Sequence, residues 1–257
     1  MELEFERDGV TVLRGDPGMR AWAGAARAVA DRVLTDWAGR ADQWRNGRTW
    51  FVGVDALPNA EDGAVQGVAL PLDLIAVAGW SAGERFHRAQ LSVVFPGYPR
   101  RDGTETEAAH RYRINRAAAH VDGLHGEGAA KRRYLREPHR FILGIALDGC
   151  RAAPLVVWPG SHRRMRAALV AGVGERVPAE VDLTDAYVAA RRGVFEAIEP
   201  VALPMAAGDA VLLHRHMLHG VAPWDAAVAE GADARRIAYF RPVLRDPAQW
   251  LRAEDDA

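Results

Sequence analysis

The chain has 257 residues, 49% of them hydrophobic and 26% charged, which excludes disordered and fibrous classes and suits a globular protein with a full core. Its 33 Lys and Arg are balanced by 34 Asp and Glu, so no global field draws it onto nucleic acid or an anionic membrane. The single cysteine, Cys150, cannot build a disulfide framework; with an acidic opening at Met1–Asp8 and no apolar run near the ~18 residues of a membrane span, a cytoplasmic protein is expected, with neither nucleic acid nor membrane as partner.

Phe5–Gly15 reads as a charged turn followed by a strand at Val10–Leu13. Asp16 then offers an N-cap and Pro17 a preset first helical position. Met19, Trp22, Ala26, Val29, Val33 and Trp37 recur at steps of three and four, predicting an amphipathic helix that stops near Gly39. Gly53, Pro58, Asn59, Asp62 and Gly63 break the next stretch into irregular structure around a strand at Thr49–Val54. A second helix is expected over Pro71–Trp80, and a strand over Phe86–Phe95 with Gln90 and Ser92 on one face. The charge-rich Arg100–Tyr112 reads as a surface loop that could act as a lid.

Short apolar runs follow at Phe141–Leu147, Pro154–Trp158, Val201–Pro204, Ala210–His214 and Ile237–Pro242. Many short strands between turns predict a barrel or sandwich. The stretch Arg163–Ala197 interrupts them with a helical pattern, Thr184 or Asp182 serving as cap. One domain of 1–257 accommodates all of this.

Chemistry concentrates at three places. His120 and Asp122 stand two residues apart, which on an extended strand puts imidazole and carboxylate on one face. A third ligand is available from His219, at the end of the apolar segment Gly208–Gly220. Two His and one carboxylate on one side of a metal leave positions open, the arrangement of non-haem Fe(II) oxygenases. Finally, Arg235, Arg236 and Arg241 cluster on the next strand. A guanidinium there can grip a carboxylate through two parallel hydrogen bonds. Arg236 is the first choice for that role and Arg235 the alternative; the others cap the strand end. His125, His214 and His216 are candidates to tune the ligands, and Arg113 and Asn115, with Gln90 and Ser92, to line a co-substrate pocket. Pro159-Gly160-Ser161-His162 reads as a structural turn, because no acid is placed to orient a catalytic pair.

Five segments in this order and spacing resemble the phytanoyl-CoA dioxygenase family of Fe(II)/2-oxoglutarate oxygenases: F-E-R-D-G-V-T-V-L at the start, H-V-D at 120–122, P-L-V-V-W-P-G-S-H at 154–162, G-D-A-V-L-L-H-R-H-M-L-H-G at 208–220, and R-R-I-A-Y at 235–239. The resemblance implies a double-stranded β-helix with flanking helices. It further implies His120, Asp122 and His219 as iron ligands, Arg236 as the anchor of 2-oxoglutarate, and O2 as oxidant for a small-molecule substrate. The chain departs from the family pattern after His219, where Val221 and Trp224 replace the Ser and Asn of many members. The candidate arginine is also displaced by a polar excursion over Trp224–Ala234. A carboxylate at 122 points to hydroxylation, since a halogenase keeps that position free for halide. The same three ligands would also serve a zinc hydrolase, or a non-catalytic sensor on this fold.

Overall fold

Asp16 caps a helix because its carboxylate accepts the Met19 N–H at 2.7 Å while Pro17 occupies the first turn. The computed structural model describes residues 3–80, 84–103 and 105–251. It opens with a one-turn helix α1 (Phe5–Asp8), strand β1 (Val10–Leu13) and the capped helix α2 (Pro17–Asp36). Strands β2 (Trp44–Arg45), β3 (Trp50–Phe51) and β4 (Gln90–Val94) follow, then helix α3 (Glu107–Arg116) and the hairpin β5 (Leu124–Glu127) and β6 (Arg132–Leu135). Next come β7 (Phe141–Ala146), β8 (Leu155–Val157), the helices α4 (Ser161–Val173) and α5 (Thr184–Ala197), and β9 (Val201–Leu203). The last strands are β10 (Ala210–His214), β11 (His219–Val221) and β12 (Arg235–Phe240).

Among the described residues these strands form two larger antiparallel sheets and the separate two-stranded sheet β5-β6. The larger runs β1-β10-β7-β12-β4-β3-β2 and the smaller β11-β8-β9. A bridge between His120 and His219 adds one more rung to the edge of the smaller sheet. From β4 onward the chain crosses repeatedly between the two sheets, which is the double-stranded β-helix.

Alternation along each strand sorts the apolar residues into three layers. Leu91, Val93, Leu143, Ala210, Leu212, Ala238 and Phe240 face outward from the larger sheet onto Met19, Trp22, Ala26 and Ala30 of α2. Ile142, Val211, Leu213, Ile237 and Tyr239 face inward to meet Leu155, Val157 and Leu203 between the sheets. Trp158 and Leu218 lie on the far side of the smaller sheet, with Met165 and Leu169 of α4 and Tyr187 and Val194 of α5. Burial of each such side chain contributes about 1.5–3 kcal/mol, so α2 and the α4/α5 pair hold the two sheets against each other from outside.

Several sequence expectations change here. Residues 107–112 of the expected loop belong instead to α3, because Thr106 caps that helix, accepting the Ala109 N–H at 3.2 Å; Thr104 of the expected lid lies outside the described residues. The expected helix over 71–80 is a 3-10 segment, Leu72–Ala78, and the strand expected over 49–54 shortens to Trp50–Phe51. The hairpin β5–β6 was not anticipated, because its charged, exposed residues carry little alternation. Among the described residues no helix is long and apolar enough to cross a membrane.

Candidate metal centre

His120 and His219 face each other because their backbones exchange both bridge hydrogen bonds, His120 N–H to His219 O at 2.8 Å and His219 N–H to His120 O at 3.0 Å. That approach demands a small neighbour. A Cβ on Gly220 would overlap the carbonyl oxygen of Ala117, which also accepts the Val221 N–H at 3.0 Å. On the other side of His120, the Tyr112 hydroxyl of α3 donates to Ala119 O at 2.6 Å. The same tyrosine belongs to an alternating stack in which Arg133 and Arg191 lie over Tyr187, Arg191 over Tyr112, and Arg116 over Phe195. Helices α3 and α5 and strand β6 are thereby tied to the segment carrying His120.

Both imidazoles are held in one tautomer. His120 Nδ1 lies 3.0 Å from Ala118 O and His219 Nδ1 2.9 Å from Met217 O; a carbonyl only accepts, so each Nδ1 carries a proton and Nε2 is the atom each ring turns towards the site. The two Nε2 atoms converge on one carboxylate oxygen: Asp122 Oδ1 is 3.0 Å from His120 Nε2 and 3.9 Å from His219 Nε2. One ligand atom from each residue falls within 4.8 Å of the others. Burial pushes His219 down to about 4, with His120 adding to the effect, so it is neutral at physiological pH. Burial alone would raise Asp122, but the Arg241 guanidinium and the two histidines hold it well below the usual carboxylate range. Two imidazoles and one carboxylate are a donor set that suits a divalent ion. The His120 side chain is 45% exposed, so the centre opens to solvent on that side.

The candidate arginines separate by parity. Arg235 shares a face with Ile237 and Tyr239, inside the barrel, and stands opposite Val94 of β4. It is 2% exposed, and neither Nη1 nor Nη2 has a hydrogen-bond partner among the described residues. The nearby Tyr98 phenol is pushed up by burial against the pull of Arg113 and Arg235. Arg236 lies on the outer face, where Asp233, Asp148 and Asp31 surround it at 2.7, 3.2 and 3.2 Å. The structure does not bring Arg236 together with the triad; its charge is consumed by carboxylates of α2 and the loops flanking β7 and β12.

Gln90 and Ser92 point inward as expected. Ser92 Oγ accepts from Trp50 Nε1 at 3.0 Å. Gln90 Nε2 donates to Val52 O at 2.9 Å while its Oε1 accepts from Arg241 Nη1 at 2.6 Å. Arg113 is engaged by Glu105 at 3.0 Å and Asn115 is exposed. His125 sits on the β5–β6 hairpin beside Glu137. His214 and His216 form a separate buried group with His162 and Trp250, outside the triad. Ser161 is structural, accepting the Leu218 N–H at 3.0 Å and donating to Met217 Sδ at 3.2 Å. Sequence reasoning passed over Arg241, whose Nε donates to Asp122 Oδ2 at 2.6 Å. The available signal was its even spacing from Arg235, which puts both on one face.

Neither a family model nor a curated protein matches the chain. Solved structures similar to it include the non-heme alpha ketoglutarate dependent carbocyclase SnoK from nogalamycin biosynthesis (16% identity, TM-score 0.48, 97% of this chain and 88% of that one). Others are AviO1 from Streptomyces viridochromogenes Tue57 (18%, 0.46, 95% and 93%) and EctD from S. alaskensis with bound Fe (17%, 0.46, 92% and 73%).

Proposed function

We propose that this chain, as one domain, is an Fe(II)- and 2-oxoglutarate-dependent dioxygenase that hydroxylates a small-molecule substrate and releases succinate and CO2. The observation that carries the reading is the convergence of His120 Nε2 and His219 Nε2 on Asp122 Oδ1, at 3.0 and 3.9 Å, while both Nδ1 atoms are turned onto backbone carbonyls. A metal ion resolves that arrangement, and this donor set with open positions suits Fe(II) better than a closed structural zinc site. Arg235 supports the co-substrate: a buried guanidinium with two unpartnered nitrogens fits the distal carboxylate of a dicarboxylic acid.

Iron(II) bound at the triad, with 2-oxoglutarate and O2, would supply the oxidising power to break a C–H bond of the substrate. The chain's own residues set the conditions for it. His120 and His219 arrive with Nε2 free because backbone carbonyls hold Nδ1–H. Asp122 supplies the negative charge. Arg235 replaces Arg236 as the proposed anchor, while Gln90 and Ser92 line the same inward face. Leu155, Val157 and Ile237 keep the space between the sheets apolar, which strengthens a charge-assisted bond formed there.

The test is anaerobic titration of apo-protein with Fe(II) and then 2-oxoglutarate, following the visible charge-transfer absorption of the chelate. A band requiring both additions and absent from Asp122→Ala is expected. Folded, metal-loaded protein giving no band would sink the co-substrate assignment in favour of a zinc hydrolase or a sensor. Retention of Asp122 predicts hydroxylated product without chloride incorporation; a chlorinated product from the intact protein would overturn that part.

A further inference from the structure

Asp122 uses its two oxygens differently. Oδ1 faces both imidazoles, at 3.0 and 3.9 Å. Oδ2 faces away from them and is held by Arg241 Nε at 2.6 Å. Arg241 is itself fixed: its Nη1 donates to Gln90 Oε1 at 2.6 Å, Gln90 is anchored on Val52 O at 2.9 Å, and its guanidinium carbon lies 5.2 Å from the centre of the Tyr239 ring. A continuous line of hydrogen bonds therefore runs from the backbone of residue 52, through β4 and the end of β12, to one oxygen of the carboxylate.

A carboxylate can bind a metal through one oxygen or through both. Chelation through both would consume one of the three positions that two histidines and a single carboxylate oxygen leave open on an octahedral ion. It would also break a short charge-assisted hydrogen bond and strand a guanidinium that is only 22% exposed. We propose that Arg241 is a positioning residue that occupies Asp122 Oδ2, confines the carboxylate to one-oxygen ligation through Oδ1, and so keeps the third coordination position available. The inference rests on the triad being a metal centre, and it assigns Arg241 a role distinct from that of Arg235 six residues earlier on the same face.

The consequence for affinity is opposite to that of a merely structural arginine. Removing Arg241 frees the second oxygen and takes a positive charge away from the ion, so metal binding holds or tightens while an open position is lost. A structural role predicts weaker metal binding with the ligand number unchanged.

The test loads wild type, Arg241→Met and Arg241→Lys with Mn(II) and counts metal-bound waters from the broadening of the Mn(II) EPR lines in 17O-enriched water, with Kd measured alongside. Three waters are expected for wild type, two for Arg241→Met with Kd unchanged or lower, and three again for Arg241→Lys, which keeps a charged donor for Oδ2. Two waters in wild type, or three in Arg241→Met, would overturn the inference while leaving the metal centre intact. The wild-type count tests it even if Arg241→Met does not fold. Wild type that binds no Mn(II) at all would remove the metal centre and this inference with it.

Discussion

Arg235 and Arg236 are adjacent in sequence, both buried, and opposite in circumstance. Arg236 sits among three carboxylates, whereas both Nη nitrogens of Arg235 lack a partner. Their replacements should therefore dissociate stability from binding. Arg236→Met leaves Asp148 buried without its main partner and is expected to cost roughly 2 kcal/mol, discounted because Asp31 and Asp233 are well exposed. 2-Oxoglutarate binding should not change. Arg235→Met removes an uncompensated buried charge, so the urea midpoint should hold or rise. Loss of two charge-assisted hydrogen bonds should weaken 2-oxoglutarate binding by on the order of 100-fold. Urea denaturation and calorimetric titration of both variants check this, and weakened binding in Arg236→Met alone would reverse the assignment.

At the scale of elements, the segment 117–122 is placed by three short connections: the bridge to β11, the Tyr112 tether from α3 and the space left by Gly220. Gly220→Ala forces a methyl into the Ala117 carbonyl and is expected to cost about 1–3 kcal/mol. It should also loosen metal binding, because His120 moves with Ala117; equilibrium dialysis against Mn(II) reads the second effect. Thr106→Ala removes the cap of α3 at a cost of about 1 kcal/mol. That loss should appear as faster amide exchange over residues 107–116.

These elements also mark what could be read from sequence. Strands β1, β4, β7, β8, β9 and β10, and the capped α2, were legible because each carries its own period and its own stop signals. The meeting of His120, Asp122 and His219 was legible from residue type and spacing. What escaped was decided by contacts between distant segments. Residues 107–112 look like a loop until Thr106 caps them, and the contact of Arg241 depends on Asp122, 119 positions away. The preference for Arg236 failed to account for the three carboxylates, two of them remote in sequence, that hold it on the outer face.

Across the whole molecule, buried histidines set the response to acid. Burial pushes His139 down to about 4, and burial with Arg163 does the same to His162. Burial and neighbouring positive charges hold His214 and His216 well below the ordinary value of 6.5. Unfolded, all four titrate near 6.5. As pH falls from 6.5 towards 4, the unfolded chain takes up protons that the folded chain refuses, so stability falls. Each histidine contributes up to ~1.4 kcal/mol per pH unit in that window. The apo-protein should melt at clearly lower temperature at pH 5 than at pH 7.5; a melting temperature flat across that range would show that these rings are not held neutral.

One further consequence follows from the pairing of β12. Its ladder fixes Ile237 opposite Ser92 on one side and Ala146 on the other. The arginine that enters the barrel is thus selected by odd or even position, whatever number of residues separates it from His219. Residues 224–234, which cross from the smaller sheet to the larger, could be lengthened and the same guanidinium would arrive inside. A single residue inserted within β12, upstream of its locked pairs, would instead exchange the inward and outward arginines. Counting from His219 is therefore a poor guide to which guanidinium enters the barrel; strand phase is the reliable coordinate, and loop length is free to drift.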